Sequence, residues 1–228
     1  MSGAEVEFLV REVRQKARRE GRSITYADIE GALADRGPAR STELQVRLAT
    51  HEAGHAIVQI YLGLGSISQI IINGVEGSAH VAGFIDSSEV ISEENLTDLL
   101  IVTLVGRAAE QEFCGSASGG SGGSERSDLA TATRLAFNME MTLGFGSDQP
   151  LLFRNVDDPF SLIALNPKVA DRVHGRLETA YGSARKIVLH NQNAIKYLAA
   201  CLLVEETLEG PSLQSVVDKV RQCMSSGS

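Results

Sequence analysis

The chain has no tryptophan, only three cysteines and five prolines, and no surplus of positive charge in its 228 residues. Cys114, Cys201 and Cys223 are odd in number and widely spaced. With no CxxC pair, they exclude a disulfide framework and a cysteine zinc site, and a reducing compartment is the simplest expectation. A net charge of −8 and a pI near 5.2 leave no global positive field to hold nucleic acid or anionic lipid. The one basic cluster, Arg11 to Arg22, is interleaved with Glu12 and Glu20 and reads as a solvated helix face. No stretch approaches the roughly 18 to 20 apolar residues needed to span a bilayer. The most apolar segment, Leu96 to Val105, contains Thr97, Asp98 and Thr103 and reads as buried core. Glu5, Glu7 and Arg11 interrupt any apolar run near the start, against a signal peptide. The chain is therefore expected to be soluble and cytoplasmic, with 43% hydrophobic and 22% charged residues, as in ordinary globular proteins.

The apolar spacing predicts mostly helix. Val6, Leu9, Val10 and Val13 recur at helical intervals up to about residue 20, and Gly21 ends that helix. Thr25 opens a short second helix with Asp28 three residues on, as in a capping box, and Gly37-Pro38 stops it. The turn from Gly37 to Ser41 is the expected boundary between a helical segment, 1–40, and the main domain, 41–228. From Thr42 a long helix runs to about Leu62. Ile67 to Ile72 and His80 to Ile85 are β-type stretches joined by a Gly-rich, hairpin-like turn. Further helices are expected from Ser92 to about Phe113, from Asp128 to about Leu143, and from Asn166-Pro167 onward. Gly115 to Ser124, almost wholly Gly, Ser and Ala, reads as a flexible loop. The fold class is mostly α with a small β-sheet.

The long helix carries His51-Glu52-Ala53-Gly54-His55. Histidines four apart on a helix lie one turn apart on the same face, so both imidazoles can reach one metal ion. The glutamate after the first histidine stands beside that ion, where it can take a proton from water that zinc has acidified. A catalytic zinc needs a third protein ligand as well as an open position. The extended form HExxHxxGxxH is excluded, because Val58 and Tyr61 stand where it needs Gly and His. Glu76 sits between glycines in the hairpin-like turn, whereas the role needs a carboxylate presented from a second helix. His80, His174 and His190 are single histidines, for which a surface or satisfied core position is the plainer reading. Glu110 and Asp128 remain, the latter with the competing role of a helix N-cap. Spacing does not choose between them.

Four further segments accompany the motif in order: LVGRAAEQEFCG at 104–115, SDLATATRL at 127–135, GFG at 144–146 and LLVEETLEG at 202–210. Together with HEAGHA at 51–56 they resemble the peptidase domain of FtsH-type ATP-dependent zinc proteases, over residues 44 to about 217. The resemblance implies a helical zinc-peptidase fold with HExxH on a long helix. It implies a zinc site of His51, His55 and Asp128, with Glu52 as catalytic base and Glu110 as a nearby structural carboxylate. It also implies unfolded polypeptide substrates, held extended beside an edge strand at Val81 to Ile85. A hexamer is implied in which an ATPase module feeds the peptidase, and Ile24 to Ala34 resembles the last helix of that module's lid. The chain departs from the family in four ways. It has no GxxxxGK[ST] phosphate loop and no membrane segment, its loop before Asp128 is longer, and Val105 replaces a usual glycine. The expectation is a metalloendopeptidase that forms the proteolytic part of an ATP-dependent protease, in the cytoplasm or, within a longer anchored protein, on the cytoplasmic face of a membrane. The alternative is an inactive pseudoprotease serving as an oligomeric scaffold or adaptor. Its hallmark would be loss of a histidine or the glutamate, and none is lost.

Overall fold

The computed structural model describes residues 3–34, 40–73, 78–84, 92–154 and 156–225. It divides into two compact units, Met1–Thr42 and Glu43–Ser228. In the first, α1 (Gly3–Arg19) packs against α2 (Tyr26–Ala34), and Leu9, Val13 and Ala17 of α1 are buried. Asp28 reaches back to the head of α2, where Oδ2 accepts from the Thr25 backbone N–H at 2.8 Å and from Thr25 Oγ1 at 2.7 Å. Arg22 forks onto the same carboxylate, its Nη1 donating to Oδ2 and its Nη2 to Oδ1, each at 2.6 Å. The expected capping box is thus half formed: the acidic arm is in place, while the threonine hydroxyl donates to Asp28 rather than accepting from the helix.

The second unit opens on α3 (Thr42–Leu62), which carries the HEAGH segment. A three-stranded antiparallel sheet follows in the order β2–β1–β3. Its strands are β1 (Ser66–Ile71), β2 (His80–Phe84) and β3 (Thr207–Glu209). Ile70 of β1 pairs with Val81 on one side and Leu208 on the other, and Ile70 and Leu208 are buried. A bulge lies between Ile67 and Gln69 on β1, where Ser68 Oγ donates to the Ala82 carbonyl at 3.2 Å. Among the described residues β2 has no strand on its outer side, so it is an edge.

At the centre stands α4 (Glu93–Phe113), started by Ser92, whose side chain accepts from the Asn95 N–H. Leu96, Leu100, Ile101, Leu104, Val105 and Ala108 bury it on several faces, as expected for a helix wrapped by others. It packs against α5 (Asp128–Met141) and α7 (Pro167–His190). A Cβ at Gly54 of α3 would lie 2.9 Å from Ala109 Cβ and 3.4 Å from the Val105 carbonyl. Glycine there lets the motif helix approach α4 closely. The unit is completed by α6 (Pro159–Leu165), α8 (Gln192–Glu205) and α9 (Gly210–Ser225).

Two elements escape the sequence pattern, α6 and β3. Helix α6 is apolar in sequence but only seven residues long, and none of its residues is buried. Strand β3 is only three residues long and follows Glu206, a left-handed C-cap with φ 56°, which turns LLVEETLEG from helix into strand. Gly210-Pro211 therefore begins α9, with β3 rather than α8 immediately before it. Glu76 and Ile85 lie outside the described residues, as do positions 37 to 39 of the expected boundary turn. No single helix among the described residues is long and apolar enough to cross a membrane.

Candidate metal centre

His51 and His55 project from one face of α3 with their rings 4.8 Å apart. Each ring is oriented through its Nδ1. His51 Nδ1 lies 2.8 Å from Glu110 Oε1 on α4, and His55 Nδ1 lies 2.8 Å from the Val102 carbonyl on the same helix. Both partners are acceptors, so each Nδ1 carries the hydrogen and each Nε2 presents a lone pair.

Those lone pairs point toward Asp128. Its Oδ2 lies 3.0 Å from His51 Nε2 and 3.6 Å from His55 Nε2, while the two Nε2 atoms are 3.1 Å apart. With both imidazoles neutral, three acceptor atoms converge with no hydrogen to share, an arrangement that is repulsive until a proton or a metal cation lies among them. Ligands bound tetrahedrally at about 2.0–2.1 Å are about 3.3–3.4 Å from one another. The observed separations straddle that value, so the donor set and its spacing fit a small divalent metal with a fourth position open.

Asp128 is free to serve because it is not the helix cap. Ser127 caps α5, its Oγ accepting from the Ala130 N–H at 3.3 Å, and Asp128 is the first helical residue. The Gly/Ser segment before it is ordered by specific bonds. Ser118 starts a single 3₁₀ turn, Gly119–Ser121, and its backbone N–H donates to Glu110 Oε2 at 2.7 Å. The composition reads as a flexible loop; here the segment is tied by an acceptor on α4, Glu110, and a donor on α3, Arg47, which reaches the Ser116 carbonyl.

Glu110, 2% exposed, sits on the Nδ1 side of His51, away from the converging atoms. Spacing had left it level with Asp128. The imidazole separates them, one carboxylate on each ring nitrogen. Beneath the ring lies Gly106 of α4, where a Cβ would come within 2.4 Å of His51 Nε2. Sequence reasoning missed this residue, since nothing in the local pattern of α4 announces what crosses it.

The electrostatics follow the geometry. Burial disfavours charge on His51, but hydrogen bonds to Asp128 and Glu110 outweigh it and push the imidazole up to about 10. In the metal-free chain a proton thus takes the cation's place. Burial also works against ionised Asp128 and Glu110, and is outweighed in both. Bonds from His51 and His55 hold Asp128 well below the usual carboxylate range, and bonds from His51 and Ser118 lower Glu110. Glu52, 4% exposed and with no hydrogen-bond donor on its carboxylate among the described residues, is shifted the other way. Burial raises it, against the pull of His55 and His51. A carboxylate raised in this way is a better proton acceptor than an ordinary surface glutamate.

The other histidines do not join the cluster. His174 is exposed and pairs with Glu178 at 3.4 Å, and His190 meets the edge of Tyr61. His80 is exposed on β2 and only influences Glu52 electrostatically. Among the described residues, His51, His55 and Asp128 are the group able to hold a metal ion.

Comparison with known proteins gives a consistent result. The chain is 29% identical to an ATP-dependent zinc metalloprotease FtsH of Thermotoga maritima, over 95% of its own length and 39% of the relative's. It is 31% identical to FtsH 3 of Sphaerobacter thermophilus, over 95% of itself and 46% of the relative. FtsH 1 of Sorangium cellulosum is 29% identical over 95% of this chain and 38% of its own. The chain thus spans less than half the length of these relatives. The resemblance first read from a few short segments extends over nearly all of this sequence. The profile of peptidase family M41 matches residues 39–216, the span that contains α3, the sheet, Glu110 and Asp128, and the chain belongs to that family.

Proposed function

We propose that the Glu43–Ser228 unit is a zinc-dependent endopeptidase and the proteolytic part of an ATP-dependent protease. One observation carries the reading: His51 Nε2, His55 Nε2 and Asp128 Oδ2 converge within 3.0–3.6 Å while both Nδ1 hydrogens are committed elsewhere. Two imidazoles, one carboxylate and an open fourth position match a catalytic rather than a structural zinc site. When bound, zinc supplies Lewis acidity, which acidifies water and polarises a carbonyl oxygen.

The remaining work falls to this chain's own side chains. Glu52, next to His51 on α3, accepts a proton from the attacking water and later delivers it to the leaving amine. His51 is kept in the Nδ1–H tautomer by Glu110, and His55 by the Val102 carbonyl, so neither Nε2 lone pair is lost to the wrong tautomer. Among the described residues no strand flanks the outer edge of β2, and that edge offers backbone groups to a substrate strand. That mode reads main chain and favours extended, unfolded polypeptide over folded protein.

The names of the relatives support an ATPase partner, and Ile24 to Ala34 supports a lid remnant in the 1–40 segment. The working assembly is a hexamer that receives polypeptide from the ATPase, on the cytoplasmic side. Metal analysis with casein hydrolysis, before and after chelation, tests the reading. It predicts about one zinc per chain and hydrolysis that vanishes with chelator and returns with zinc. Full hydrolysis by metal-free protein would overturn it.

A further inference from the structure

Arg47 lies one turn before His51 on α3, and its guanidinium is largely buried, with 19% of the side chain exposed. It does three things at once. Its Nη1 donates to the Ser116 carbonyl at 2.8 Å, Nη2 reaches Ser116 Oγ at 3.3 Å, and Nη1 stands 3.7 Å from Glu110 Oε2. A further contact, to Glu43 at 3.3 Å, ties it along its own helix.

These contacts place Arg47 at a junction. Glu110 faces His51 with one oxygen and the Ser118 N–H with the other. Ser116 and Ser118 belong to the Gly/Ser segment, 115–124, that leads to Asp128. One cation therefore faces the carboxylate that orients His51 and also pins the start of the loop that delivers Asp128. Glu110 would otherwise be a buried anion whose only strong partners are an imidazole and one amide, and an uncompensated buried charge is costly. The fork of the guanidinium suits this task, since a single rigid group can serve a carbonyl, a hydroxyl and a carboxylate together.

We propose that Arg47 is a positioning residue of the metal centre, acting through Glu110 and the 116–118 segment to hold His51 and Asp128 in register. The proposal rests on the metal-site reading above but concerns an anchoring network that exists without metal. It assigns no contact between Arg47 and substrate or metal.

The test compares wild type, Arg47→Met, Arg47→Lys, Glu110→Gln and the Arg47→Met/Glu110→Gln double variant in the 228-residue chain. Hydrogen exchange at the Ser118 amide is followed in the metal-free proteins. Zinc release to a chelator is followed in the loaded ones. Arg47→Met is expected to speed Ser118 exchange at least tenfold and zinc release by about 10- to 100-fold, the range for losing a group that supports a ligand. Arg47→Lys, which keeps charge but not the fork, should fall between Met and wild type. Because part of the effect of Arg47 runs through Glu110, the double variant should release zinc more slowly than the product of the two single effects predicts. Unchanged exchange and release in Arg47→Met would overturn the proposal, as would effects of the two substitutions that multiply fully. If Arg47→Met fails to fold, the graded response of Arg47→Lys decides, and wild-type behaviour there overturns it. A wild-type chain that takes up no zinc would defeat the peptidase reading, while Ser118 exchange would still decide the role of Arg47.

Discussion

Gly106 on α4 lies directly beneath the His51 ring, so close that a Cβ would sit 2.4 Å from Nε2 and 2.5 Å from Cε1. The space for the imidazole that faces Asp128 and His55 is therefore made by a missing methyl group on another helix. Gly106→Ala should force His51 off its position and separate Nε2 from Asp128. Overpacking of this kind costs about 1–3 kcal/mol, and zinc affinity should fall by at least tenfold. Thermal unfolding and zinc titration check the two effects. An alanine variant that binds zinc like wild type would show that the ring tolerates displacement.

Glu52→Gln should keep metal and fold while turnover falls by about 10² to 10⁴, the usual contribution of a general base. Glutamine preserves size but cannot take the proton. Zinc content together with peptide hydrolysis gives the answer, and residual activity above about a tenth would remove Glu52 from that role.

Asp128→Asn should weaken zinc binding sharply, because the anionic ligand is lost while shape is nearly kept. Glu110→Gln should do less, since Glu110 touches His51 only through Nδ1, at 2.8 Å. Outer partners of this type are worth about 10- to 100-fold in affinity. Zinc titrations of both variants test the order. If Glu110→Gln abolished binding and Asp128→Asn did not, the assignment would be reversed.

Zinc uptake should be coupled to proton release. His51 is raised to about 10 in the metal-free chain, so it is protonated at neutral pH and must lose that proton to bind metal. Apparent zinc affinity should thus climb by up to about tenfold per pH unit between pH 7 and 9. The sign for metal-free stability is opposite. A raised folded-state pKa stabilises fully below the unfolded value of 6.5, and that contribution is lost as pH rises through about 10. Calorimetry in buffers of different ionisation enthalpy counts the protons released. A count near zero at pH 7.5 would contradict the coupling.

The 228-residue chain alone should cleave casein or short peptides and leave stable folded proteins intact. It contains no GxxxxGK[ST] segment, so ATP has no phosphate loop in it to bind. Degradation of a folded reporter by this chain, stimulated by ATP, would count against the division of labour proposed here.

Much of this protein was decided locally. Helical patterning placed α3, α4 and α5 to within about two residues and the start of α7, because each carries its own apolar positions and start signals such as Ser92 or Asn166-Pro167 lie in the local sequence. The i, i+4 spacing put His51 and His55 on one face for the same reason: a helix fixes the direction of its side chains without help. Tertiary structure decided what lies between segments. Asp128 is 77 residues from His51, and only the packing of α5 on α4 brings its carboxylate to Nε2 while Glu110 comes to Nδ1. The two acids are equivalent in composition, and they differ only in which side of one ring they reach. The Gly106 gap, the Arg47 anchor and strand β3, which lies beside β1 by pairing Leu208 with Ile70, have no local signal either. Each exists only through a partner distant in the chain, and a contact of that kind is set by how the helices and strands pack, not by the residues next to it in sequence.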